Sequence, residues 1–158
     1  MRGEKKSILT RRGSAERGTV MTPKEYLNRY KDAVVLVEQL NKELKGLQYE
    51  AEAIGISLDG MPHGTNVSDK TGNYAAKIAD MVIEVIEQRT EALAVRSEIW
   101  RTVGRIKNTD ARRVIYERYL GLKRFEEIAV DMNYGIRNIY RLHGEGLQMV
   151  GEIIKTMQ

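Results

Sequence analysis

The sequence predicts an all-α protein in which a long two-helix antiparallel coiled-coil hairpin is followed by a C-terminal helix-turn-helix domain. Proline, which interrupts helices, occurs only twice in 158 residues. Apolar residues recur at spacings of three and four over two long stretches, as they do on one face of a helix. A third stretch, from Arg124 to Val150, has two short apolar-patterned pieces with Asn-Tyr-Gly between them. We therefore divide the chain into residues 1–20, 21–107 and 108–158.

Residues 1–20 are predicted to be a disordered basic arm or a leader. They are rich in Gly, show no periodicity and hold six Lys/Arg against two Asp/Glu, which accounts for the whole formal net charge of +4. Met21 opens a better-formed sequence, in which Thr22 suits a helix N-cap, Pro23 suits the first helical position and Glu25 completes a capping box. This pattern favours Met21 as the functional start.

Residues 21–107 are predicted to form two long helices around a Gly-rich loop at about residues 55–68. The first helix runs for about 32 residues from Thr22, and the second for about 38 residues to near Lys107. Ile86, Leu93 and Trp100 widen the apolar stripe of the second helix, and both stripes are interpreted as core. An antiparallel hairpin within one chain and a dimer through the same stripes remain alternatives.

Residues 108–158 are predicted to form a helix-turn-helix domain. Asn108-Thr109-Asp110 caps a short helix that closes at Gly121, and Phe125 begins the first helix of the motif. Ala129 is the small residue at the helix crossing, and Asn133 tolerates the left-handed turn that must follow it. Tyr134 is expected to plug the turn. Ile139 and Leu142 then face inward on the second helix.

The outward face of that second helix is the candidate DNA-reading face. Arginine pairs with guanine edges or grips phosphates, and asparagine pairs with adenine. The reading face comprises Arg137, Asn138, Tyr140 and Arg141, and the candidate phosphate contacts are Arg112, Arg113, Lys123 and Arg124. The structural alternatives are a solvated arginine face, a local hydrogen bond for Asn138 and a packing role for Tyr140. His143 is interpreted as structural.

Charge supports a nucleic-acid partner over other classes. Residues 101–143 hold ten Lys/Arg against five Asp/Glu, a concentration that a pure scaffold does not need. The chain has no Cys, no HExxH, no phosphate-binding Gly-rich loop and two His in separate elements, so we expect no enzyme activity, no cofactor and no metal site. No apolar run reaches about 18 residues, so we expect no membrane span and a cytoplasmic location.

The segment FEEIAVDMNYGIRNIYRLHGEGLQMV resembles the region-4-like helix-turn-helix of bacterial sigma factors. From Met21 onward the chain resembles the ArpU/RinA-type late transcriptional regulators of phages, in which an ERYL…FEEIA…RxxYRLH tail follows two long helices. The resemblance implies a phage or prophage regulator, an activator of late genes, that binds double-stranded promoter DNA in the bacterial cytoplasm, beside RNA polymerase. It adds Gly135 and Ile136 to the DNA-contacting face. Gly144 and Gly146 replace the usual Ala, which predicts fraying after His143.

The alternative function is a helical scaffold or partner-binding protein, such as a phage packaging or assembly subunit. In that case the long helices supply the binding surface and the C-terminal helices only cap them. One helix-turn-helix reads few base pairs, so useful promoter specificity requires a homodimer or a second DNA-bound partner such as RNA polymerase. The sequence leaves these two alternatives open.

Overall fold

The computed structural model describes residues 21–55 and 69–157 and is all-α, with no strand among these residues, which confirms the predicted fold class. The predicted arm, residues 1–20, and most of the predicted loop lie outside the described residues. The five helices are α1 (Pro23–Ala53), α2 (Asp69–Gly104), α3 (Thr109–Tyr119), α4 (Phe125–Met132) and α5 (Ile136–Lys155). None of the described helices is both long enough and apolar enough to cross a membrane.

The capping box predicted at the start of α1 is confirmed. The Thr22 Oγ1 accepts the backbone N–H of Glu25 at 3.3 Å, and the Glu25 carboxylate accepts the backbone N–H of Thr22 at 2.9 Å. The Thr22 N–H and the Thr22 hydroxyl, which donates at 2.8 Å, favour the ionised form of the carboxyl and lower the pKa of Glu25. Two of the helix's orphan N-terminal donors are thereby satisfied, which defines where α1 begins.

Helices α1 and α2 lie side by side and run in opposite directions. The Tyr26 hydroxyl shares a buried hydrogen bond of 2.9 Å with Thr102 Oγ1. One turn further along α1, the Arg29 guanidinium donates to both carboxylate oxygens of Glu98, at 3.0 and 3.2 Å. Farther on, Asn41 of α1 shares a groove with residues 89–93 of α2. The residue numbers of the contacting side chains thus decrease along α2 as they increase along α1, as expected for two antiparallel helices.

Helix α2 ends at Gly104, three residues before the predicted end near Lys107. Arg105 and Ile106 donate to the carbonyls of Thr102 and Val103, both at 3.1 Å, so the last turn tightens. The Ile106 side chain is buried, and Asn108 accepts the N–H groups of the first turn of α3. Burial of Ile106 in the core therefore competes with continuation of the helix and ends it.

The prediction that the whole widened stripe of α2 is core is wrong. Val85, Ala92, Ile99 and Val103 are buried, but three members of the predicted stripe are more than half exposed. These three are Ile86, Leu93 and Trp100. Helix α1 covers one face of α2, and α3 and α5 contact α2 near its end, where Trp100 meets Tyr116 of α3 edge-on at 5.0 Å, so most of the adjoining face stays exposed.

The predicted fraying of the last helix after His143 is also wrong, because α5 continues without a break to Lys155. Ile139, Leu142, Gly146, Val150 and Ile154 form a buried stripe along it. Packing of this stripe, chiefly against α3, offsets the weak helix propensity of the two glycines.

Candidate nucleic-acid interface

The turn between α4 and α5 consists of Asn133, Tyr134 and Gly135. Asn133 has φ 54° and ψ 43°, so the prediction that it adopts the left-handed conformation is confirmed. The N–H of Tyr134 donates to the carbonyl of Ala129 at 2.9 Å, and the N–H of Asn133 donates to that of Val130 at 3.1 Å. Ala129 is buried, so a small side chain stands where α5 leaves the turn. The turn therefore ends α4 abruptly and sends α5 in a new direction.

Tyr134 does not plug this turn. Its side chain is 38% exposed, and its hydroxyl donates to the Asp110 carboxylate at 3.0 Å. The negative charge of Asp110 raises the pKa of Tyr134, whereas Arg113 acts in the opposite direction. The hydrogen bond ties the α4–α5 turn to the first turn of α3, and it places Arg113 on the same side of the molecule as the start of α5.

The N-terminus of α5 is open to solvent. Gly135 is the exposed N-cap, Ile136 is 39% exposed, and the first turn contains no acidic residue. By contrast, α1, α3 and α4 each carry Asp or Glu in their first turn. The first N–H groups of a helix have no partner within the helix, and the helix dipole adds partial positive charge there. An anion such as a phosphate is the favoured occupant.

Arg137 and Tyr140 project from the first turns of α5. Arg137 is exposed and has no ion-pair partner among the residues that the structure describes. Tyr140 is about half exposed, and its ring centroid lies 5.0 Å from that of Phe125. The Tyr140 ring therefore packs on Phe125 while about half of the residue stays accessible, so the packing role and the contact role are compatible.

Asn138 and Arg141 belong to one hydrogen-bonded chain of side chains. The Arg141 guanidinium donates twice to Asn138 Oδ1, at 3.1 and 2.9 Å, and once to Glu145 Oε2, at 3.2 Å. Asn108 Nδ2 also donates to that Glu145 oxygen, at 3.3 Å. The arginine is thus held along the helix by three of its N–H groups, which leaves one N–H on each terminal nitrogen for a base or a phosphate.

The four predicted phosphate contacts do not form one group. Arg112 and Arg113 both line a groove with Trp100 and Tyr116, in which Arg112 is half-buried, whereas Arg113 is exposed and also acts on Tyr134 of the α4–α5 turn. Lys123 and Arg124 lie before α4. The Lys123 ammonium pairs with Glu117 at 2.9 Å and Asp131 at 2.8 Å.

These two carboxylates, Asp131 above all, raise the pKa of Lys123. A phosphate would have to compete with both of them for the ammonium. Arg124 is exposed, and among the described residues its side chain forms an ion pair only with Glu127, at 3.9 Å. Arg113 and Arg124 are therefore the two most accessible of the four candidates.

An aromatic cluster behind α5 holds the candidate face in place. The His143 ring stacks on Tyr119 at 5.8 Å and meets Phe125 edge-on at 4.9 Å, and the Arg118 guanidinium lies 4.6 Å from the centroid of Phe125. The Tyr119 hydroxyl and His143 Nε2 share a hydrogen bond of 3.1 Å. Burial raises the pKa of Tyr119 and lowers that of His143, which Arg118 and Lys24 lower further.

Sequence reasoning missed three side chains of this region: Asn108, Tyr134 as a tether, and Glu145. Glu145 was detectable, since it follows Arg141 by four residues, the spacing of helical ion pairs. The contacts of Asn108 and Tyr134 cross between helices and have no signature in local spacing. Comparison of the chain with protein-family models, curated proteins and solved structures found no match.

Proposed function

We propose that this chain is a sequence-specific DNA-binding regulator of transcription that reads promoter DNA with α5. Helices α4 and α5 are the proposed helix-turn-helix, and α5 enters the major groove with its N-terminal turns. The observation that carries the proposal is the open N-terminus of α5. It combines an exposed N-cap, a first turn without acidic residues, and Arg137 without an ion-pair partner among the described residues.

The side chains of this face divide into two roles. Arg137, Asn138 and Arg141 have the donor and acceptor groups that read base edges. Arg113 and Arg124, with the backbone N–H groups at Gly135 and Ile136, suit phosphates on either side. Tyr140 offers an aromatic edge to a phosphate or a thymine methyl.

The biological setting of the proposal comes from the resemblance of residues 21–150 to phage late regulators. On that basis the chain is a phage or prophage protein that activates late genes and works beside RNA polymerase in the bacterial cytoplasm. The long helices α1 and α2 extend beyond what α3–α5 need for support. They supply the contact with a second DNA-bound partner.

The test is binding to fragments of the surrounding phage genome, followed by footprinting and fluorescence anisotropy on the protected site. Arg137→Ala should weaken specific binding by about 1–3 kcal/mol if Arg137 pairs with a base. Arg137→Lys should lose most of the preference for the specific site, because lysine cannot form the bidentate pair, yet keep nonspecific affinity and its salt dependence.

Lys45→Ala is the matched control, since Lys45 is an exposed cation on α1 remote from α5. It should bind like the parent protein. Equal affinity of the parent for promoter and unrelated fragments at low ionic strength would contradict the proposed function. So would equal losses for Arg137→Ala and Lys45→Ala.

A scaffold or partner-binding protein remains the second candidate, and the exposed apolar residues of α2 favour it. Such a protein binds DNA without a preferred site or not at all. It also tolerates Arg137→Ala, so the same binding series separates the two functions.

A further inference from the structure

Helix α2 carries an apolar strip that the other described helices leave largely exposed, although Trp100 at its C-terminal end meets Tyr116 of α3 edge-on, with 5.0 Å between the ring centroids. Its positions are three and four residues apart and comprise Ile83, Ile86, Thr90, Leu93, Ser97 and Trp100, here called the α2 strip. The four large apolar residues of the strip are Ile83, Ile86, Leu93 and Trp100, and they are 55, 58, 64 and 53% exposed, respectively. Alternating spacings of three and four are the pattern by which two helices pack side by side along their length.

Charge is unevenly distributed on the two sides of the middle of the strip. Residues 80–91 hold four acidic side chains and one basic one, whereas residues 92–104, which reach the end of α2, hold two basic side chains and one acidic one. That single acidic residue, Glu98, already pairs with Arg29. Two α2 helices packed in the same direction would set the two acidic segments against each other, whereas opposite directions set each acidic segment against the more basic one.

We propose that the α2 strip is the interface of a homodimer in which two copies of α2 pack antiparallel about a two-fold axis. An axis between residues 91 and 92 sets Ile83 against Trp100 of the partner subunit, and Thr90 against Leu93 of the partner subunit. The same register brings Asp80 beside Arg101 of the partner subunit. Both of these charged side chains are exposed in the single chain.

The side of the strip opposite to Asp80 and Arg101 is basic near the two-fold axis, because it carries Arg89 and Arg96. Glu38 of α1 lines the same groove as Arg89 and Leu93, so a carboxylate is present on this flank as well. Apolar contact drives the association. The pairing of Asp80 with Arg101 of the partner subunit favours the antiparallel direction, and it must outweigh the approach of Arg89 to Arg96 of the partner subunit on the basic flank.

The size of the strip predicts a dimer of modest stability. Seventeen residues separate Ile83 from Trp100, so the strip is roughly 25 Å long at 1.5 Å per residue. A strip of that length on one helix buries several hundred Å² per copy, which lies at the lower end of specific interfaces. We expect the dimer to dissociate on dilution.

The geometry also deepens the proposed function, on which this step rests. Gly104 ends α2 about 12 residues from the axis, so the two α2 C-termini lie roughly 37 Å apart along the pair. One turn of B-DNA spans about 34–36 Å. Since α3–α5 lead off from each of these ends, the dimer carries one α5 at each end, and a separation on this scale suits half-sites about one helical turn apart.

The first experiment measures the mass of the full chain by light scattering without DNA over a range of concentrations. The mass should rise from the 18.0 kDa of one chain toward twice that value. Trp100 is the only tryptophan, so its emission should shift to shorter wavelength as the dimer forms. Leu93→Glu should weaken association roughly 30-fold or more, as expected for an interface hot spot.

Leu36→Glu is the matched control, because Leu36 is an exposed leucine of α1 that does not line the groove beside the strip. It should dimerise like the parent, and circular dichroism should show both variants equally helical. A parent mass of one chain at every concentration overturns the proposal. Equal association of Leu93→Glu and Leu36→Glu overturns it too.

A charge exchange tests the antiparallel direction. Asp80→Arg should weaken the dimer, and Asp80→Arg combined with Arg101→Asp should restore it. The proposed register is wrong if the double variant does not regain the affinity of the dimer although Leu93→Glu still weakens the dimer. If the chain dimerises but does not prefer promoter DNA, the proposed function is refuted and the proposed dimer is supported. If the chain prefers promoter DNA as a monomer, the proposed dimer is refuted and the proposed function is supported.

Discussion

Gly146 shows how one atom sets the distance between two helices. A Cβ at this position would lie 2.9 Å from Ile115 Cδ1 and 3.3 Å from the carbonyl oxygen of Ala111. Helix α5 can therefore approach α3 this closely only because residue 146 has no side chain. Gly144, two residues earlier on the same helix, faces open space. The two glycines look equivalent in the sequence, yet only one of them has a packing reason.

This difference yields a paired prediction on stability. Gly144→Ala should raise the free energy of unfolding by about 1 kcal/mol, because alanine is the better helix former and meets no neighbour. Gly146→Ala should lower it by about 1–3 kcal/mol, because the methyl group forces α3 and α5 apart. Urea unfolding of both variants checks the sign. Stabilisation by both substitutions would show that the α3–α5 contact is looser than described.

Asn133 and Leu122 both adopt positive φ, at 54° and 55°, but for different reasons. Asparagine tolerates the left-handed region, so its place in the turn follows from its own chemistry. Leucine does not favour it, and the surroundings of Leu122 impose it. The N–H of Lys123 donates to the carbonyl of Glu117 at 3.0 Å, and the Arg118 guanidinium donates to the carbonyl of Lys123 at 2.8 Å.

At the scale of elements, the contact between α3 and α5 is built around a half-buried histidine. His143 of α5 shares a hydrogen bond with Tyr119 of α3, while Arg118 of α3 and Lys24 of α1 surround it with positive charge. Burial is the largest cause of its lowered pKa, and the two cations act in the same direction. Helix α5 therefore packs on α3 with a neutral imidazole.

The contact should weaken in mild acid. The folded pKa of His143 lies below its unfolded value of 6.5, so the unfolded chain binds the proton more readily. The stabilisation is complete above pH 6.5 and is lost as the pH falls through 6.5 toward the folded pKa. Thermal unfolding of the parent and of His143→Gln at several pH values measures this.

The pH dependence between about pH 7.5 and the onset of carboxylate titration near pH 5 should be smaller in His143→Gln. The second histidine, His63, is present in both proteins, so its contribution cancels in the comparison. Parallel pH curves would show that the imidazole does not titrate differently in the two states.

At the scale of the molecule, one core joins the long helices to the proposed DNA-binding part. The main cluster has sixteen buried residues, of which five lie within residues 21–107 and eleven within residues 108–157. The start of α1 also reaches α5, since a Cβ at Gly151 would lie 3.0 Å from Pro23 Cγ. The boundary at residue 108 thus separates two parts of the sequence that share their apolar contacts.

A fragment of residues 108–158 should therefore lack a cooperative fold. The fragment lacks the five core residues that lie within residues 21–107. Three of these, Leu27, Ile99 and Ile106, are large and at most 1% exposed in the full chain. Burial of each such side chain is worth about 1.5–3 kcal/mol, and three of them approach the whole stability of a small domain. Circular dichroism should show a broad, shallow melt for the fragment and one sharp transition for the full chain. A sharp transition in the fragment would contradict the shared core.

The features that depend on local chemistry could be predicted from the order of the residues alone. Helix periodicity, the capping box at Thr22 and the left-handed Asn133 each follow from residues within one or two turns of one another. Tertiary structure decided the rest: the early end of α2, the continuity of α5 through two glycines, and the exposure of the α2 strip. It also decided the contacts of the candidate site, such as Tyr134 with Asp110. The physical reason is that each of these depends on which helix packs against a face, and local spacing shows that a face is apolar without showing what covers it.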